Sequence, residues 1–346
     1  MPRVSAIDSI SPAIQRTKDL LFKPFNWGTY LKLGLVAIIT EGWGSNFRTS
    51  GNGGGHSSGQ GPMITAPPSF TGVQIAQVVA MGLLITLFMV WLYYLITRLR
   101  FAFFYSVLHN VKQIGPGWRA YREPAGRFFW MNIVVGLCYL LMLGLVSLPF
   151  ISGFMKLFRD MQPGGHPDFG LLLALILPLI PIILLMVLIG FMADLVLRDF
   201  MLPHYALENA TAGEAWGWVW RAIADEKREF FVFVLLRLVM PAVAMALLFM
   251  VLLIPGLLFA GAIGAIWYAI HGAFAGTTGA SATIGVLLQV FFGCVGFLFV
   301  LLMSVCVGGP LSTWVRQYAT IFYGGRYPAL ANHLTPPATQ GQTDFA

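Results

Sequence analysis

Residues 238–315 read LVMPAVAMALLFMVLLIPGLLFAGAIGAIWYAIHGAFAGTTGASATIGVLLQVFFGCVGFLFVLLMSVCVGGPLSTWV, seventy-eight positions between Arg237 and Arg316 without one Asp, Glu, Lys or Arg. A soluble domain of that length needs charge on its surface, whereas a charged side chain at the centre of a bilayer costs at least about 2.5–3.5 kcal/mol on insertion scales. The solvent for this stretch is therefore lipid. The fold class that follows is all-α, a polytopic transmembrane helical bundle.

The rest of the chain agrees. Charged residues make up 10% and hydrophobic ones 58%, against about 25% charged in an ordinary globular domain. The net charge of +7 does not point to nucleic acid, because the Lys and Arg residues flank apolar runs and form no basic face. Cys138, Cys294 and Cys306 all lie in apolar runs without a CxxC partner, which reads as packing and not as disulfides or metal ligands. No cleavable signal peptide is recognisable in residues 1–24. There Ser11-Pro12 suits a helix start, and Ile14, Leu21 and Phe25 oppose Arg16, Lys18, Asp19 and Lys23, the pattern of an interfacial helix on the cytoplasmic face.

About 20 apolar residues cross the hydrocarbon core. Six spans are expected, near 27–43, 73–96, 128–154, 169–193, 230–254 and 283–307, the first interrupted by Lys32, whose stem can snorkel to the headgroups. Residues 257–270, after Pro255-Gly256, read as a re-entrant or interfacial extension. With the N-terminus inside, sixteen of the twenty-one Lys and Arg residues fall on the cytoplasmic side, and only Arg48, Lys156 and Arg159 fall outside. That asymmetry places both termini in the cytoplasm. The domain reading is an interfacial helix over 1–24, a bundle over 25–325 with a Gly-rich external loop over 41–72, and a disordered cytoplasmic tail over 326–346. Gly55-His56-Ser57-Ser58-Gly59 matches the G-x-S-x-G nucleophile elbow in letters but lacks the strand and helix that the elbow requires.

Three segments repeat a spacing: Arg98 to Tyr105, Arg198 to Tyr205 and Arg316 to Tyr323 are each seven apart, two helical turns on one face. Gly117-Trp118 and Gly217-Trp218 follow the first two at the same offset, and each is followed by an aromatic-led span, from Phe128 or Phe230. An internal duplication accounts for this. The competing account is that Arg and Tyr populate every inner interface. Thr211-Ala212-Gly213-Glu214 is a capping box, and Trp216, Val219, Trp220 and Ile223 follow at helical spacing, as in a cytoplasmic amphipathic helix. Asp225-Glu226-Lys227-Arg228-Glu229 reads as a solvated turn.

Ionisable residues in spans are the first functional candidates. Asp194, Arg198, Arg237 and Lys32 form that set, with Asp194 and Arg237 expected to meet as a register-fixing pair or to hold a lipid phosphate or anionic solute. Pro178 and Pro181 either kink a packed helix or free carbonyls along a path. His204 and Glu208 have metal-ligand spacing but no second ligand pair. His271 stands alone in an apolar run, and Gly272-Ala273-Phe274-Ala275-Gly276 offers a small-residue contact. No catalytic residue, cofactor site or metal site is indicated.

Pro203-His204-Tyr205-Ala206-Leu207-Glu208, then Glu214-Ala215-Trp216, then Phe230-Phe231 opening a span, resembles the membrane domain found ahead of some bacterial glycerophosphoryl diester phosphodiesterases. It also resembles related stand-alone bacterial membrane proteins of unknown function. Leu31-Lys32-Leu33-Gly34-Leu35-Val36 before a Gly-rich loop is similar to the stand-alone relatives. The resemblance implies a fold and a bacterial cytoplasmic-membrane location. It implies no phosphodiesterase chemistry, since the soluble catalytic domain is missing. The functional expectation is a non-enzymatic accessory or scaffold protein that meets membrane lipids and a protein partner on its cytoplasmic face. The alternative is a permease or lipid transporter with its site near Asp194 and Arg237.

Overall fold

The computed structural model describes residues 4–42, 72–160, 169–274, 276 and 279–334, and among them there is no strand. In chain order the helices are α1 (Ile10–Phe22), α2 (Trp27–Ala37), α3 (Gly72–His109), α4 (Gly115–Ala120), α5 (Arg122–Asp160), α6 (Phe169–Leu195), α7 (Leu202–Leu207), α8 (Ala212–Asp225), α9 (Lys227–Phe274), α10 (Ala280–Gly324) and α11 (Pro328–Leu334). Two π-helical turns interrupt this order, Ile38–Gly42 after α2 and Val196–Met201 between α6 and α7. The Gly-rich loop with its G-x-S-x-G match, and the tail from Thr335, lie outside the described residues.

Among the described residues five helices are long and apolar enough to cross a membrane: Ala76–His109, Arg122–Leu157, Leu172–Leu207, Lys227–Phe274 and Ala280–Gly324. The stretch near 27–43 is not among them, its described part being shorter and residue 43 lying outside the described residues. α2 and its π-turn cover residues 27–42 and pack against α10. The Tyr30 hydroxyl donates to the Cys306 carbonyl at 2.6 Å, and Gly34 lies against Val305 and Gly309. Pro255-Gly256 does not end a helix either. α9 runs unbroken for 48 residues, about 72 Å at 1.5 Å per residue, because a helix away from water keeps its backbone bonds around a proline. Residues 257–270 are thus the far end of α9. Pro178 and Pro181 likewise sit inside a continuous α6. α1 begins at Ile10, one residue before the expected Ser11 start, with Ser9 at its N-cap.

The chain divides into two compact units. Unit 1 comprises Met1–Pro68, Ala102–Trp118 and Ile223–Ala346; unit 2 comprises Ser69–Phe101 and Arg119–Ala222. In each unit the burial of the long helices is concentrated at one end. In unit 1, α1, α2, α9 and α11 pack against α10. Leu20, Leu21, Tyr30, Leu33 and Ala37 close on Phe103 and Val107, and Phe233 stacks on Phe322 at 4.4 Å and on Tyr318 at 5.1 Å. From Leu238 onward α9 presents apolar side chains outward, with Met250 75% exposed. Unit 2 repeats the pattern. Phe128 packs edge-on against Phe101 and Tyr205, whereas Leu84, Leu141 and Leu184 are about two-thirds exposed. Leaving such side chains in water would cost roughly 1.5–3 kcal/mol each, so these outer ends belong in lipid.

Each Gly-Trp helix lies between two long ones, α4 between α3 and α5 and α8 between α6 and α9, the second with a π-turn and α7 ahead of it. Asn110 after α3 and Asn209 after α7 both take the left-handed conformation, with φ of 54° and 53°, which stops a helix at low steric cost for asparagine. The two copies are not equivalent. A Cβ on Gly117 would stand 2.6 Å from the Tyr105 Cβ, whereas Gly217 has nothing within 4 Å. The compact units also cut across the repeat boundaries.

Candidate functional site

The buried charged groups among the described residues gather at the buried helix ends. In unit 1 the π-turn Ile38–Gly42 carries Glu41; a π-turn inserts a residue into the helical repeat and so re-aims the side chains it bears. Glu41 meets two guanidiniums, the Arg237 Nη2 at 3.4 Å from α9 and the Arg316 Nη1 at 3.9 Å from α10. All three side chains are 7% exposed or less. Arg316 also lies over the Phe104 ring at 5.3 Å. Each ion pair at such a distance is worth on the order of 4 kcal/mol gross in a protein environment, most of it offset by desolvation. Around the cluster, Thr313 donates to the Gly309 carbonyl at 2.8 Å and the Gln317 amide to the Val107 carbonyl at 3.4 Å. The Gln317 Oε1, Tyr318 Oη and Trp314 Nε1 atoms have no hydrogen-bond partner among the described residues. The cavity beside Arg237, lined by Met240, Pro241, Trp314 and Tyr318 among others, measures about 10 Å³, at the lower limit of roughly 10–15 Å³ that holds one water.

Unit 2 carries its own cluster on the second π-turn. Arg198 stands 3.7 Å from Asp194, one turn earlier, and 3.7 Å from the adjacent Asp199. Arg198 and Asp199 are buried, whereas the Asp194 side chain is 38% exposed. Arg100 is buried in the same unit, and Tyr93 lies within electrostatic reach of both Arg100 and Asp194. His204 and Glu208 come within 3.7 Å of each other, but among the described residues no group of three or more His, Cys, Asp or Glu side chains is placed to hold a metal ion.

A third polar junction lies in unit 1. The Arg326 guanidinium bonds Glu226 at 2.6 and 2.9 Å, donates to the Val4 and Phe322 carbonyls, and covers the Phe322 ring at 4.0 Å. The Ala6 amide donates to Glu229 at 3.0 Å. Glu226 and Glu229 of the 225–229 run thus tie three parts of the chain together, while Asp225, Lys227 and Arg228 are exposed.

On α8 the capping box is formed at one arm. The Thr211 amide and hydroxyl both donate to the Glu214 carboxylate, at 2.9 and 2.8 Å. Those two bonds, the backbone one first, hold the Glu214 carboxyl below its usual range. Ala215 and Val219 are buried. Trp216 and Trp220 stack at 6.2 Å on one flank, and Trp218 lies on the other under Arg221 at 4.5 Å. All three indoles are more than half exposed.

Within unit 2 Asp194 meets Arg198, and within unit 1 Arg237 meets Glu41. Lys32 is exposed on α2. Of the Arg-Tyr pairs, Arg198, Tyr205, Arg316 and Tyr323 are buried, and Arg98 and Tyr105 are half-buried. The Tyr205 hydroxyl reaches the Met131 sulfur at 3.1 Å, and Tyr105 stacks on His109 at 4.2 Å. Glu41 escaped the sequence reading because it fell at the edge of an assumed span. Its signal was isolation, since no other Asp or Glu occurs between Asp19 and Glu123.

A family model described as a family of unknown function (DUF7544) matches residues 4–332. The match agrees with the uncharacterised branch of the resemblance and shows no link to the phosphodiesterase-associated domain. No curated protein and no solved structure matches the chain.

Proposed function

From the premise that the chain belongs to the family of unknown function DUF7544, we propose that it is a non-enzymatic accessory or scaffold protein of the bacterial cytoplasmic membrane. The observation that carries this reading is the space beside Arg237. Buried arginines in a transporter serve a polar, water-filled route, whereas here Arg237 and Arg316 are tied to Glu41 beside a cavity of about 10 Å³. The buried helix ends lie on the cytoplasmic side, where sixteen of the twenty-one basic residues fall on the sequence count. Both termini are cytoplasmic, with an even number of passages. Five helices supply five of the six, and the sixth is the stretch near 27–43 that α2 opens. α1 and α8 lie at that boundary and meet lipid headgroups and a protein partner.

Flux through proteoliposomes holding the purified chain tests this reading. Anion efflux and scrambling of a labelled phospholipid should match protein-free vesicles. Flux above that background, lost in Arg237→Gln, would establish the permease or lipid-transporter alternative.

A further inference from the structure

The joint between α1 and α2 has four aromatic rings in mutual contact. Phe25 stands 6.1 Å from Phe22, 5.0 Å from Trp27 and 5.7 Å from Tyr30, and Tyr30 stands 5.6 Å from Phe22 and 6.1 Å from Trp27. Tyr30 is the base of the cluster: it is 7% exposed and its hydroxyl is held by the Cys306 carbonyl of α10. The other three project outward, Phe22 at 44%, Phe25 at 46% and Trp27 at 62% exposure. The loop beneath them is pinned, because Lys112 donates to the Pro24 carbonyl at 2.5 Å and Arg16 ties α1 to the Leu108 carbonyl at 3.3 Å. Three lysines lie close to the rings along the chain or by contact: exposed Lys23 precedes the loop, half-buried Lys112 is bonded to it, and exposed Lys32 follows Tyr30 by two residues on α2. The facing acid is Asp19, 2.9 Å from Lys23.

An outward aromatic cluster that does not retreat into its core, bordered by cations on long stems, has the two halves of an interfacial lipid site. The rings take glycerol and the first acyl carbons, and the ammonium groups take the phosphate. The rings already contact each other, so they leave no cage between them for a quaternary ammonium ion. The lysine excess selects negative charge. We propose that Phe22, Phe25 and Trp27, with Lys23, Lys32 and Lys112, form a seat for one anionic phospholipid of the cytoplasmic leaflet. This inference rests on the membrane-scaffold reading and adds a ligand class to it.

The test is native mass spectrometry of the full chain extracted from vesicles of equal phosphatidylcholine and phosphatidylglycerol content. The wild type should retain phosphatidylglycerol over phosphatidylcholine by several-fold. Lys23→Gln, Lys32→Gln and Lys112→Gln combined should abolish the preference while leaving circular dichroism unchanged. Phe25→Ser with Trp27→Ser should lower retention of both lipids. If that pair unfolds the joint, the lysine variant alone decides. Equal retention of the two lipids by the wild type, an undiminished preference in the lysine variant, or a stoichiometric protein bound at the rings in place of lipid would each overturn the seat. Recovery of the chain folded, with no lipid of either class and no need for detergent, would instead sink the membrane reading beneath it.

Discussion

The two π-turns hold ionic clusters of opposite construction. In unit 1 one carboxylate, Glu41, faces two guanidiniums from helices 196 and 275 residues away in sequence. In unit 2 one guanidinium, Arg198, faces two carboxylates within five residues of itself. The first is a tertiary tie, in which removing the shared carboxylate takes the Glu41 ion pair from two buried guanidiniums at once. The second is local, and one of its carboxylates reaches solvent. Burial and sequence separation therefore decide what each cluster does, more than the number of charges in it.

Neutralising the shared carboxylate should show the largest effect. Glu41→Gln is expected to cost about 3–5 kcal/mol, the penalty for leaving a buried ion pair half-made, as measured by denaturant unfolding in mixed micelles. Asp194→Asn, with its side chain 38% exposed, should cost no more than about 1 kcal/mol. Equal losses would erase the distinction between the clusters. Replacing Glu41, Arg237 and Arg316 together by Met should recover most of the Glu41→Gln loss, since an apolar substitute for a complete buried cluster is often neutral. A triple variant no more stable than Glu41→Gln would show that these residues do more than hold the helices together.

A smaller contrast concerns glycines. A Cβ on Gly309 would lie 2.6 Å from the Gly34 Cα, whereas Gly256 has nothing within 4 Å. Gly309→Val should therefore cost about 1–3 kcal/mol through overpacking of α2 on α10, and Gly256→Val should stay within about 0.5 kcal/mol. Comparable costs at both sites would mean that α2 does not dock where it is placed.

The smallest effect is expected at α8. Because the Thr211 bonds depress the Glu214 carboxyl, their contribution is complete above the unfolded carboxylate pKa and fades as pH falls through the lower folded value. Amide-exchange protection in the first turn of α8 should decline over that acidic window. Glu214→Gln should flatten the dependence, and an unchanged profile in that variant would remove the capping box from the account.

The membrane-embedded parts were legible in the sequence because hydrocarbon excludes charge so strongly that Leu238–Val315 admits one reading. The buried ends were not, because the same logic ends a span where arginines begin. α3 continues past Arg98 and Arg100 to His109, and α10 past Arg316 to Gly324, since guanidiniums with carboxylate or aromatic neighbours can be packed inside protein. The stretch near 27–43 shows a related limit: α2 is apolar enough for lipid and is also matched to α10 through Gly34 and Gly309. Hydropathy does not distinguish a helix buried by protein from one buried by lipid. The capping box at Thr211 was legible because its signal is local, whereas the Glu41 cluster depends on pairings that no spacing encodes.

The most direct test of a scaffold without an aqueous route is chemical access to the cavity beside Arg237. Met240→Cys, in a chain with Cys138, Cys294 and Cys306 replaced by alanine, would be exposed to a charged methanethiosulfonate reagent from each side of sealed vesicles. The account expects no modification from either side until the protein is unfolded. Rapid modification of the folded chain from one side or both would contradict it.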